Sequence, residues 1–345
     1  MIENKTHSSQ SRRDFFKYLM LTGAALSLPK INAFSGTSID VADESAPEFE
    51  YKYSTFSVEH LKEVNTWFGN LRSEGKLSTN KTFQSYIGGF IFNPDAYMLG
   101  AKSVIVFAVP DKIQSIIFNH HGKKYTLLIP CGYSDNGLTG PMLRKRIKKD
   151  IIKDPSKKLK GRLRLPLKTL AVRSGLAEYG KNNIAYVNGY GSFHALYGLL
   201  TDKELDDNWG PLKMLRLCKG CSICIKECPT RCIRESNFVI DVGRCITLYN
   251  ELPDAMPGWI NPKAHNALAG CLKCQFDCPG NAEGIKHINR IAEMSEEETE
   301  FILKEGKDKE FHAKIIEKLN PFPPAQDLAY FSRNLKLALP NAKPE

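Results

Sequence analysis

Nine of the ten cysteines fall between Leu217 and Pro279. The run opens with Cys218-Lys-Gly-Cys221-Ser-Ile-Cys224-Ile-Lys-Glu-Cys228-Pro229 and closes with Gly270-Cys271-Leu-Lys-Cys274-Gln-Phe-Asp-Cys278-Pro279. Cys232 and Cys245 lie between them. Three thiolates at successive x2 steps can wrap one face of an iron–sulfur cubane. The x3 step and the proline then turn the fourth sulfur toward a second cluster. The spacing therefore assigns Cys218, Cys221, Cys224 and Cys278 to one [4Fe–4S] cluster, and Cys228, Cys245, Cys271 and Cys274 to the other.

Other uses of these cysteines fit less well. Zinc takes two separated Cys-x2-Cys pairs and has no use for a third cysteine at the same step. Disulfide frameworks scatter their cysteines, whereas these thiols repeat within local turns. Cys232 and the isolated Cys131 are expected to be packed thiols rather than ligands. His265, shortly before Cys271, is either a packing histidine or a hydrogen-bond donor to cluster sulfur.

The elements that must hold these ligands are readable along the chain. At 345 residues there is room for about two domains. With 42% hydrophobic and 25% charged residues, the composition is that of a globular protein. No apolar run approaches the roughly 20 residues needed to span a bilayer. Ser57 to Ser73 reads as a helix closed by Gly75, and Ser103 to Val109 as a buried strand. Lys124 to Pro130 is a second strand. Leu143, Ile147 and Ile151 mark a helix. Pro166 starts another helix, where its missing N–H costs nothing, and Phe193 to Asp202 is a further strand. Ser295-Glu-Glu-Glu298 is a capping box, and helices are expected over 310–319 and 327–337.

Charge is unevenly placed within a net +10, with eleven basic residues between Arg144 and Arg164 against Asp150 and Asp154. That run is either a solvated helix face or a dock for an acidic electron-transfer partner or an anionic ligand. It lacks the interleaved aromatics of a single-strand binder, so no nucleic acid is expected. Residues 1–35 carry Ser11-Arg12-Arg13-Asp14-Phe15-Phe16-Lys17 and a moderately apolar stretch, the pattern of a twin-arginine signal. Export of a folded protein by that machinery to the periplasm, or to the outer face of the membrane, agrees with clusters inserted beforehand.

Gly175, Gly180, Gly189 and Gly191 permit close backbone approach, and serve either a ligand nest or tight turns. Ser174-Gly175-Leu-Ala-Glu-Tyr179-Gly180-Lys181-Asn182 resembles the glycine motif of epoxyqueuosine reductases. Gly191-Ser192-Phe193, Arg244-Cys245-Ile246 and the closing cysteine run match the same family in order and spacing. Reductive dehalogenases have a similar arrangement. The resemblance covers about Phe92 to Ile288. It implies an α+β chain in which an α/β domain of the corrinoid-reductase, nitroreductase-like type precedes a two-cluster ferredoxin-like domain and a short helical C-terminus. The expected divisions are a signal over 1–35, a linker over 36–55, the α/β domain over 56–205, the cluster domain over 206–290 and a helical extension over 291–345.

The resemblance further implies a reductase whose clusters feed a base-off corrinoid (cobalamin) beside Gly175, Gly180, Lys181, Asn182, Gly191 and Ser192, with electrons from an external redox protein or a membrane quinol system. The aspartate acid of epoxyqueuosine reductases has no counterpart near Gly161 and Arg162. Tyr133, Tyr179 and Tyr190 are the candidate proton donors, each beside glycines. The alternative is an electron-transfer protein with neither substrate nor corrinoid.

Overall fold

The structure is a computed structural model that describes residues 48–133, 137–236, 238–252, 254–320, 322–326 and 328–345. The twin-arginine segment lies outside the described residues.

The apolar run Ser103–Pro110 forms strand β2, with every residue but the terminal proline buried. It is central to an antiparallel sheet. β1 (Lys52–Ser57) pairs along one side, and β8 (His194–Thr201) along the other. The short β5 (Leu159–Lys160) adds to β8. Helices α1 (His60–Ser73) and α4 (Leu167–Arg173) cover this sheet, and Phe56, Leu61, Val64, Val104, Val106, Leu170 and Leu200 form its core. Full burial of side chains of this size stabilises by about 1.5–3 kcal/mol each. Pro166 sits at the N-cap of α4. On the other face, α3 (Gly140–Ile147) packs Leu143 and Ile147 on Ile105 and Phe107, and runs into a π turn ending at Ile152.

The segment from Lys52 was expected to be linker and is instead the edge strand β1. Its polar residues alternate with Thr55 and Phe56 only weakly, but pairing with β2 satisfies its backbone.

A second sheet holds the rest of the chain to the cluster region. β3 (Gln114–His120) and β4 (Lys123–Ile129) make a hairpin, turning at His121 and Gly122. β9 (Asn289–Met294) lies parallel to β3. Helices α8 (Glu296–Leu303), α9 (Lys309–Lys318) and α10 (Leu328–Ala338) follow. Ser295 and Glu298 form the reciprocal capping box that starts α8. Ile116, Phe118, Ile302, Ile315, Phe322, Phe331 and Leu335 make one core. The C-terminal helices share this core with β3 and β4, and so pack on the sheet rather than standing apart from it.

Candidate iron–sulfur centre and its seam

The cysteine region is built from short elements that expose backbone N–H groups to sulfur. After Cys218, Gly220 takes a left-handed conformation (φ 75°) that turns the chain toward α5 (Ile223–Glu227). β6 (Ala177–Tyr179) and β7 (Ala185–Val187) form a small hairpin beside it, and α7 (Lys273–Phe276) packs on α5. α6 (Ile246–Asn250) follows Cys245. Cys218, Cys221, Cys224 and Cys278 line one narrow cavity, together with Gly180, Lys181, Asn182 and Tyr186. Burial and the neighbouring Cys218, Cys278 and Cys221 push the Cys224 thiol up to about 11. The other four are also mutual neighbours: burial raises Cys274 well above the ordinary thiol range, and Cys271, Cys245 and Cys228 add to it. Cys224 and Cys274, crowded so closely by other thiols, resist deprotonation unless a cation takes up their charge. That donor set fits iron–sulfur clusters.

Hydrogen bonds to these sulfurs come from residues that the cysteine spacing does not reveal. The Tyr186 hydroxyl donates to Cys278 Sγ at 3.2 Å, and the Lys181 backbone N–H to Cys218 Sγ at 3.5 Å. Asn266 Nδ2 donates to Cys271 Sγ at 3.3 Å. Its neighbour His265 is 1% exposed, and among the described residues neither ring nitrogen has a hydrogen-bond partner. His265 is thus a packed residue, and Asn266 reaches the sulfur. Cys232 is buried, with its Sγ 3.4 Å from that of Cys228 and its backbone N–H donating to the same sulfur at 3.3 Å. The Cys232 thiol is the main cause that draws the Cys228 thiol down to about 5. Cys131 is half-buried, its Sγ 3.7 Å from the carbonyl of Ser192.

The glycine motif faces the cluster domain. Lys181 Nζ donates to the Cys221 carbonyl at 2.9 Å and pairs with Glu235. Asn182 Nδ2 donates to the Cys274 carbonyl and to the Tyr186 hydroxyl, both at 2.9 Å. Ser192 N–H donates to Asn281 Oδ1 at 2.8 Å, and its hydroxyl meets Gln275 Oε1 at 2.9 Å. Gly191 (φ 60°) is pressed against Asn281, where an added Cβ would stand 2.7 Å from the Gly280 carbonyl. Gly180 is filled in by Asn182 and Tyr186, whereas Gly175 (φ 77°) is an open turn after α4. Five of the six residues expected at a corrinoid are therefore committed to a seam between the two domains.

The three candidate tyrosines do not converge. Tyr179 is buried against Thr169 Oγ1 at 3.0 Å, with its pKa pushed up to about 12 by burial. Tyr190 donates to Glu50 at 2.8 Å beneath the Lys52 ammonium. Tyr133 pairs with Glu251 and packs on Gly270. Two titratable groups that the sequence did not single out stand at the paired ends of β2 and β8, Asp111 opposite Phe193 and His194 opposite Pro110. Asp111 N–H donates to the Phe193 carbonyl, and burial raises its carboxyl above the usual range. His194 pairs with Pro110 in register, and burial lowers it to about 4.

Residues 217–281 match the family model for a 4Fe-4S double cluster binding domain. The chain carries this double-cluster domain, and its similarity to known proteins is to epoxyqueuosine reductases. The epoxyqueuosine reductase of Leadbetterella byssophila is 34% identical over 121 residues, covering 35% of this chain and 38% of that protein. That of Bacillus cereus is 26% identical over 204 residues, covering 55% and 50%. The chain thus aligns with half or less of either curated relative. Among solved structures, the epoxyqueuosine reductase from Streptococcus thermophilus superposes with a TM-score of 0.58 at 19% identity, over 84% of this chain and 77% of that one. An epoxyqueuosine reductase with an epoxyqueuosine-modified tRNA stem loop gives 0.58 at 19%, over 85% and 77%. These establish the α+β fold.

The comparisons correct two expectations. A structural neighbour holds a tRNA stem loop, so absence of aromatics from the basic run was no ground for excluding nucleic acid. The same finding overturns the expected export to the periplasm, because relatives named for a tRNA nucleoside work where tRNA is. Among the described residues, no helix is long and apolar enough to cross a membrane.

Proposed function

We propose that this protein is an iron–sulfur reductase that acts on a modified nucleoside in RNA, of the epoxyqueuosine type. The carrying observation is the engagement of Lys181, Asn182 and Tyr186 with Cys218, Cys221, Cys274 and Cys278, which wires the α/β domain to the cluster cysteines. In this reading Cys218, Cys221, Cys224 and Cys278 hold the cluster nearer the α/β domain. Cys228, Cys245, Cys271 and Cys274 hold the second. The clusters supply one-electron reducing equivalents when bound. The protein shields them from water, holds the sulfurs in hydrogen bonds and sets the path between domains.

Deoxygenation of an epoxide also needs protons. Burial raises the Asp111 carboxyl above the usual carboxylate range, toward the protonated form that a general acid needs. We assign Asp111 as the candidate proton donor. Of the residues expected around a corrinoid, all but Gly175 are spent on the seam, so the set does not fit that group and no step is derived through it.

A second reading, an electron carrier without its own substrate, draws support from the dispersal of Tyr133, Tyr179 and Tyr190 onto three separate partners. One experiment separates the two. Cluster-loaded protein is reduced anaerobically and given an epoxyqueuosine-containing stem loop, with nucleoside composition as the readout. Conversion by the wild type, lost in Asp111→Asn with both clusters intact, is expected. Reoxidation by an electron acceptor without any conversion of the RNA would leave the carrier.

A further inference from the structure

Among the described residues outside the cysteines, one group brings three metal-ligating side chains together: His120, His121 and Glu300, with ligand atoms within 4.8 Å of one another. We propose that these residues form a binding site for a borderline divalent cation of the zinc type, which clips the β3–β4 turn to helix α8.

The fold prepares the site from both sides. On the hairpin, His120 ends β3 and His121 adopts a left-handed φ of 50°, so both imidazoles serve one side of the turn rather than opposite faces of a strand. Their ring centroids are 3.9 Å apart. Facing them, Glu296 and Glu300 stand one turn apart on α8, hence on one face. Glu296 takes the backbone, accepting from His121 N–H at 2.7 Å and Gly122 N–H at 3.2 Å. Glu300 is left to meet the rings. The capping box at Ser295 fixes where α8 begins, and Asn119 ties β3 to the Met294 carbonyl at 2.7 Å. Both partners therefore sit on ordered elements.

One atom argues for a cation rather than a simple ion pair. His120 Nδ1 is buried and lies 3.1 Å from Glu300 Oε1, yet among the described residues it has no hydrogen-bond partner of acceptable geometry. A buried ring nitrogen and a carboxylate oxygen this close, but outside hydrogen-bond geometry, are what a metal bridges. Ligands at about 2.1 Å on a tetrahedral zinc lie about 3.4 Å from each other. Neutral imidazole nitrogen and carboxylate oxygen are the ligand types that zinc accepts beside water. Lys304 pairs with the other carboxylate oxygen, Oε2, at 2.8 Å, which leaves Glu300 to bind through Oε1 alone. Two histidines and one carboxylate leave a fourth position for water. A clip here would tie the sheet that carries β9 to the helices that cover it.

The test uses the full chain with its clusters loaded, under anaerobic conditions, dialysed against zinc. Cluster absorbance is followed, so that displacement of iron from the thiols is detected. Wild type is expected to bind one zinc per chain reversibly without loss of cluster absorbance. His121→Ala and Glu300→Gln, both at solvent-reachable positions, are each expected to weaken binding at least about tenfold, since even loss of an outer support does that much. Lys304→Ala is expected to leave binding intact or tighten it. Zinc uptake equal in wild type and both variants would overturn the proposal, as would uptake that occurs only as cluster absorbance falls.

Discussion

The Tyr186 hydroxyl donates to Cys278 Sγ across 3.2 Å, and so joins a residue of the α/β domain to a sulfur of the closing cysteine run. Asn182 holds the same hydroxyl in place at 2.9 Å. Hydrogen bonds to cluster sulfur favour the reduced, more negative state, and so raise the reduction potential. Tyr186→Phe keeps the ring and removes the donor. If the bond favours the reduced state by about 1 kcal/mol more than the oxidised one, the potential of that cluster falls by about 40 mV for a one-electron couple. Potentiometric titration followed by electron paramagnetic resonance checks this. An unchanged potential would mean that the hydroxyl serves only the fold.

The seam should fail from its tightest point. Gly191 has a φ of 60° and lies against Gly280 and Asn281, so an alanine there meets the Gly280 carbonyl as well as the Asn281 side-chain oxygen that Ser192 holds. Such clashes cost about 1–3 kcal/mol, and the strained conformation adds roughly another 1 kcal/mol. Gly191→Ala is expected to lower the melting temperature and to loosen the Ser192–Asn281 and Ser192–Gln275 bonds. Gly175→Ala, with a similar φ but open space, should lose only the conformational part. Equal losses in the two variants would show that the seam is not closely packed at Gly191.

Much of this frame was legible because local chemistry and tertiary structure agree. Cys-x2-Cys-x2-Cys-x3-Cys-Pro, the Ser295 capping box and the apolar run at Ser103 each state their role within about a dozen residues. β1 and β3 were not legible, because their strand character comes from partners: β2 for the first, and β4 and the distant β9 for the second. The glycine motif was legible as a place of close approach but not in its object. Gly191 and Ser192 meet Gln275 and Asn281, some 80 to 90 residues later, and no local signal in either stretch names the other. Tyr186 escaped notice for the same reason: it lies in the short strand β7, and the sulfur it meets, that of Cys278, is 92 residues later.

Acid should destabilise the fold through two histidines. Burial holds His194 and His265 neutral, each drawn down to about 4, with Arg333 adding to the effect at His265. In the unfolded chain each takes up a proton near pH 6.5. The unfolded state therefore binds more protons below that pH, and stability falls as pH drops from about 6.5 toward 4. Complete expression of one such shift is worth up to about 3 kcal/mol. Thermal unfolding of the wild type across this window should show the loss. His265→Leu should flatten the slope by about half relative to wild type. Identical slopes would place the acid sensitivity elsewhere, in the cluster thiols.

Cys278 decides how the ligands are shared. It follows the second cysteine run in sequence, yet it lines the cavity of Cys218, Cys221 and Cys224. Serine at this position offers a harder oxygen, in place of soft sulfur, to iron. Cys278→Ser should therefore damage the cluster built mainly from the first run and spare the one on Cys228, Cys245, Cys271 and Cys274. Iron analysis of anaerobically loaded protein should fall from about eight atoms per chain toward about four. Cys245→Ser should remove the complementary half, and the two variants should lose different paramagnetic signals on reduction. If Cys278→Ser and Cys245→Ser abolish the same signal, the two runs do not exchange ligands, and each cluster is held by the cysteines nearest to it in sequence.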